Sequence, residues 1–156
     1  MSTDLTVDIA IDAPRDRVAA YALDYTNDPE WIGAIREARL VTEPPFGVGA
    51  QVKRIGTFLG KRIEYVNEVV ELDPDRRLVM RSVKAPFPMT VTYEFDDEPG
   101  GGSRMRIRTE GDASGFYRLA GPLLDRAVKR GVGQDLKRLK ERVEGGAGSL
   151  TRRACP

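Results

Sequence analysis

LAGPLLDRAVKRGVGQDLKRLKERVE, residues 119–144, carries helical periodicity over its whole length. Leu124, Val128, Val132, Leu136, Leu139 and Val143 fall on one stripe, and Arg126, Lys129, Arg130, Lys137, Arg138 and Glu141 lie mainly off it. Apolar residues recurring at steps of three and four mark a helix that buries one face. Pro122 follows Gly121, which places the start of the continuous helix there and leaves 114–120 as a lead-in or kinked first turn. Gly145-Gly146-Ala147-Gly148 predicts its end, and 146–156 reads as a flexible tail. Gly131 and Gly133 interrupt the middle. Each costs roughly 0.5–1 kcal/mol relative to alanine, so the pair points to a need for space or close approach. Gly131, near the stripe, is expected to leave room for the sheet or for a ligand.

Upstream the period is two. Leu5, Val7, Ile9 and Ile11 alternate with Thr6, Asp8, Ala10 and Asp12, the pattern of a strand with one buried face. Asp12-Ala13-Pro14 then opens a helix, and Asn27-Asp28-Pro29 opens a second short one carrying the apolar group Trp31, Ile32 and Ile35. Loop chemistry at 43–49 precedes strand-like segments near 50–59, 62–72, 77–84, 88–96 and 104–112. Short connections make these strands antiparallel. The expected architecture is α+β: a curved antiparallel sheet gripping the long C-terminal helix, in one domain spanning 1–145.

Composition narrows the chemistry. The chain has 156 residues, a net charge of +1 and no histidine. Catalysis through a histidine base is excluded, as are histidine-based zinc and iron sites, and neither a metal nor a cofactor is expected. Acid–base work would fall to Asp, Glu, Lys, Tyr or water. The balanced charge argues against nucleic acid as a partner. Cys155 is the single cysteine, so no internal disulfide is possible. The acidic, alternating start is unlike a signal peptide and no stretch is long enough to span a bilayer, so a cytoplasmic protein is expected.

The order of these elements, with Ile11-Asp12-Ala13-Pro14-Arg15-Asp16-Arg17-Val18, Asp24 through Asp28-Pro29-Glu30-Trp31, Gly47-Val48-Gly49, Glu68-Val69-Val70-Glu71-Leu72-Asp73-Pro74 and Asp135-Leu136-Lys137-Arg138-Leu139-Lys140, resembles the START-like, Bet v 1-like superfamily (SRPBCC). That superfamily includes polyketide cyclases, dehydrases and lipid-transfer proteins. The resemblance covers roughly residues 4 to 144 and implies a helix-grip fold. Its motifs are mostly caps, turns and core positions, so they speak to fold more than to reaction.

Candidate site residues follow from strand phase. If Ile63 and Val69 face inward, Tyr65 and Asn67 do too; the opposite phase, with Val66, Val70 and Leu72 inward, fits nearly as well. Tyr93 shares a face with Val91 and Phe95, and Thr109 with Met105 and Ile107. An apolar cavity with a few polar groups is what a small-molecule site requires. Phe58, Met89, Leu124, Val128 and Gly131 complete the expected lining. Trp31 reads as a core anchor or as a wall of the pocket mouth. Arg54 and Arg81 lie in apolar strand patterns and are expected on the solvent face, because an inward arginine would need a carboxylate partner. Arg104, Arg106 and Arg108 share one strand face, expected to be solvated and paired with acids such as Glu94. Gly47-Val48-Gly49 lacks phosphate-loop spacing and reads as a turn with positive φ. Asp96-Asp97-Glu98 lacks the spacing of a calcium loop and reads as a solvated hairpin end.

These features point first to binding of a hydrophobic or aromatic small molecule, lipid- or polyketide-like, by a monomer or homodimer. Two alternatives stand beside it. One is a polyketide cyclase/dehydrase-type enzyme in which Tyr93, Tyr65 or Arg54 polarises a carbonyl, with Glu110 or Asp112 as weak proton-transfer candidates. The other is a protein-interaction module on the same fold, which requires an exposed apolar patch.

Overall fold

The computed structural model describes residues 3–154, with side chains described through Gly145. Strand β1 (Thr3–Ile11) leads into helix α1 (Arg15–Leu23), a 3₁₀ turn and the short helix α2 (Asp28–Trp31). Six strands follow: β2 (Ile35–Leu40), β3 (Gln51–Phe58), β4 (Lys61–Asp73), β5 (Arg77–Lys84), β6 (Met89–Asp97) and β7 (Ser103–Gly111). The short α3 (Ser114–Tyr117) and the long α4 (Gly121–Ala154) close the chain.

The strands form one antiparallel sheet in the order β1-β7-β6-β5-β4-β3-β2. β1 and β2 are therefore opposite edges, and α1 and α2 carry the chain between them. Register irregularities interrupt β2–β3 at Ile35/Glu37 and β4–β5 at Val66/Asn67 and Val69/Glu71. Such bulges bend a strand and increase its twist, and they give the sheet the concavity that receives α4.

The concave face is filled unevenly. Along residues 136–143 of α4, Leu136, Leu139 and Val143 pack with Val18 and Ala22 of α1, Trp31 of α2, and Leu78, Phe95 and Met105 of the sheet. Leu124, Val128 and Gly131, earlier in the same helix, border open space instead. On the convex face the three β7 arginines meet acids. Arg104 pairs with Asp8 and Glu98, Arg106 with Glu94 and Asp96, and Arg108 with Asp4 and Glu110. Exposed pairs of this kind contribute little each, and their role is to solvate that face.

Several expectations are corrected. Ile35 begins β2 rather than extending the second helix, which ends at Ile32 in extended backbone. β2 is a short edge strand with Arg36, Glu37 and Arg39 exposed, so its apolar alternation is too sparse to read. The glycine run at 145–148 does not stop α4, whose backbone continues to Ala154; glycine weakens a helix without breaking it. The side chains of the expected tail, and all of Cys155 and Pro156, lie outside the described residues. The phase of β4 is the first of the two readings, with Ile63, Asn67 and Val69 buried. Gly49 has a φ of 92°, as the turn reading requires. No helix among the described residues is long and apolar enough to cross a membrane.

Gly56 fixes how closely the edge strand approaches. A Cβ there would overlap the carbonyl oxygen of Ala34, whose acceptor is already used by the Thr57 N–H. Because the obstacle is backbone, it cannot rotate away. Gly56→Ala is expected to lower unfolding stability by about 3 kcal/mol in urea titration; an unchanged midpoint would contradict this close approach.

Candidate functional site

The open space beneath the first turns of α4 is a cavity of about 500 Å³. Inward alternation on three strands supplies its sheet wall: Ile63 and Tyr65 from β4, Met89, Val91 and Tyr93 from β6, and Ile107 and Thr109 from β7. α4 supplies Leu124, Val128, Gly131 and Val132, and the 31–35 segment supplies Trp31 through Ile35. Phe58 and Leu59, at the β3–β4 turn, border it as well. Of the candidate residues, Trp31, Phe58, Tyr65, Met89, Tyr93, Thr109, Leu124, Val128 and Gly131 are brought together around this cavity. Asn67 is not among its lining residues: it is buried one step further along β4, with its Oδ1 unpartnered.

Trp31 is both core and wall. It is 1% exposed, joins the core cluster, and its ring lies 5.9 Å from that of Tyr93. Gly131 sits where the helix meets Phe58: a Cβ would stand 3.3 Å from the Phe58 ring. At one end of the cavity an aromatic group gathers. Tyr117 meets Phe58 edge-on at 5.8 Å and Phe116 at 4.9 Å, and Phe87 lies 5.4 Å from Phe116. Lys61 ties this group down, its Nζ donating to the Phe116 carbonyl (2.6 Å) and lying 4.1 Å from the ring centroid. At the other end, Asp135 accepts from the Gly33 N–H (3.0 Å) and from Arg138, which also donates to the Trp31 carbonyl (3.1 Å). These bonds fasten the 31–35 segment to α4. Burial pushes the Asp135 carboxyl up, and the Gly33 and Arg138 bonds offset part of that.

Arg54 overturns the solvent-face expectation. It is 5% exposed on β3 and its Nε donates to Asp28 Oδ2 at 2.6 Å, with Asp28 itself 1% exposed. The reason is alternation: Val52, Arg54 and Gly56 all point inward, so Arg54 has no route to water and takes the carboxylate at the head of α2. The signal was available in the inward phase of Val52, but Asp28 reads as an ordinary helix start. Arg81 is exposed, as expected. Burial pushes the Asp28 carboxyl up, and the Arg54 charge holds it back. Burial likewise drives the Tyr65 and Tyr93 hydroxyls well above the ordinary tyrosine value, and Tyr117 up to about 12.

With this geometry in place, sequence comparison is decisive. The family described as "Polyketide cyclase / dehydrase and lipid transport" matches residues 2–144. The chain belongs to this family. Among curated protein sequences none matches it. Solved structures of similar fold include a protein from Thermus thermophilus (22% identity, TM-score 0.76, covering 92% of this chain and 98% of that one). A Streptomyces aromatase/cyclase is similar at 17% identity and TM-score 0.76 over 92% and 94% of the two chains. A START superfamily protein from Mycobacterium smegmatis reaches TM-score 0.78 at 12% identity over 91% and 97%. At these identities the likeness establishes the fold of this cyclase/lipid-transport family member, not its ligand.

The Arg54–Asp28 pair gives a direct test of this arrangement. Asp28→Asn or Arg54→Met alone leaves a buried partner uncompensated and is expected to cost about 3–5 kcal/mol, measured by urea denaturation. The double variant Asp28→Leu/Arg54→Met is expected to cost clearly less than the two singles summed. Strict additivity would show that the two residues act independently.

Proposed function

We propose that this family member is a cytoplasmic protein that binds an apolar or aromatic small molecule, lipid- or polyketide-like, in the cavity beneath α4. The observation that carries the reading is a cavity of about 500 Å³ walled mainly by apolar side chains with a few hydroxyls and charged groups, within the usual range for small-molecule sites. Apolar walls favour an apolar occupant over water. Leu59 in the lining adds support: it is 49% exposed and holds a φ of 53° in a two-residue turn, a conformation that disfavours leucine. An exposed aliphatic side chain bordering the cavity suits contact with an apolar ligand.

A second reading is catalytic and draws on the hydroxyls of Tyr65 and Tyr93 in the wall. A held poly-β-ketone chain, oriented for ring closure, would gain rate from positioning and from a polarised carbonyl. Product formation lost in Tyr93→Phe while ligand binding persists would support it; binding without turnover would leave binding as the function.

The main test is native mass spectrometry of gently purified protein, followed by solvent extraction of any bound molecule. A mass adduct released as a small apolar compound is expected. Gly131→Leu, which forces bulk against Phe58, is expected to weaken probe binding at least tenfold with a smaller effect on stability. Gly133→Ala, whose Cβ would meet nothing within 4 Å, is expected to retain binding. Unchanged affinity in Gly131→Leu, or an empty protein that binds nothing across a lipid and polyketide panel, would contradict the proposal.

A further inference from the structure

We propose that Tyr65 and Tyr93 form a paired hydrogen-bond site that selects apolar ligands bearing an uncharged oxygen acceptor, such as an aryl ketone, over ligands bearing a carboxylate. The inference rests on the cavity-binding reading and names the class of ligand. Both tyrosines line the cavity, from β4 and β6. Neither hydroxyl has a hydrogen-bond partner among the described residues. The side-chain polar atoms that are sealed off and unpartnered there are Arg15 Nε, Trp31 Nε1 and Asn67 Oδ1. The two hydroxyls are not among them, so both open onto the cavity. Burial keeps both phenols protonated at neutral pH, and each therefore remains a neutral donor. A carbonyl oxygen has two lone pairs and accepts from such donors.

The surrounding charges argue against an anion. Arg54 acts electrostatically on both tyrosines, but its Nε is committed to Asp28. Arg138 is the cation in the cavity wall, and it is committed to Asp135 and to the Trp31 carbonyl. Asp112 and Asp135 add carboxylates to the lining. A ligand carboxylate would thus lose its hydration without gaining a counter-charge.

Three fluorescent probes of one shape separate the possibilities: 2-acetylanthracene, 2-ethylanthracene and anthracene-2-carboxylate, titrated at pH 7 into the full chain. The ketone is expected to bind three- to tenfold more tightly than the ethyl compound, the range of one net hydrogen bond, and at least tenfold more tightly than the carboxylate. Tyr65→Phe and Tyr93→Phe are each expected to lower the ratio of ketone affinity to ethyl-compound affinity, whatever either change does to binding of both probes together. Carboxylate affinity equal to the ketone's, or a ketone advantage that persists in both variants, overturns the inference while leaving cavity binding intact. Failure of all three probes to bind overturns the cavity-binding reading itself, and this inference with it.

Discussion

A single antiparallel sheet has one apolar concave face, and in this chain one long helix must cover it. Everything else is arranged around how completely that covering succeeds. Over residues 136–143 of α4 it succeeds: Leu136, Leu139 and Val143 meet α1, Trp31 and the sheet, and the space is filled. Earlier in the helix it does not. Leu124 and Val128 face the strands across open space, and Gly131 removes the side chain that would otherwise press on Phe58. The cavity is the part of the concave face that the helix leaves uncovered.

The two ends of that space are held differently. The buried Arg54–Asp28 pair anchors α2 to β3, and the Asp135–Arg138 pair fastens the following segment to α4. Trp31 sits between these two pairs and is fixed as the boundary between core and cavity. The opposite end carries aromatic rings in edge-on and tilted contact, held by a single lysine. Ion pairs, whether buried like Arg54–Asp28 or part-exposed like Asp135–Arg138, are weak evidence for net stability. Their value here is geometric, because each holds a wall in place next to an apolar void.

Much of the fold was legible in the sequence because it is written as periodicity. β1 and β7 alternate cleanly, and the α4 stripe is long enough to identify the covering element without ambiguity. Tyr93 and Thr109 could be placed on the concave face for the same reason, whereas periodicity left the phase of β4, and with it Tyr65, open between two readings. Other features were hidden by the same logic. β2 is a short charged edge strand, so its period carries little signal. Arg54 broke the rule that charge faces water, because its partner Asp28 lies 26 residues away in sequence and looks like a helix start. Asn67 followed the inward phase correctly yet lies beyond the cavity, since alternation fixes a face and not a depth. The Asp135–Arg138 bonds to the 31–35 segment join positions about a hundred residues apart, a pairing that no local pattern encodes.

We propose that the uncovered part of the concave face is a binding site. The most direct measurement is methyl-detected NMR of isotope-labelled protein titrated with a fluorescent apolar probe such as an anthracene. The expected result is saturable shifts in Ile63, Val91, Ile107, Leu124 and Val128, with Leu136, Leu139 and Val143 little changed. Shifts confined to the exposed Val41, Val48, Val83 and Leu123, with the cavity methyls unmoved, would contradict it.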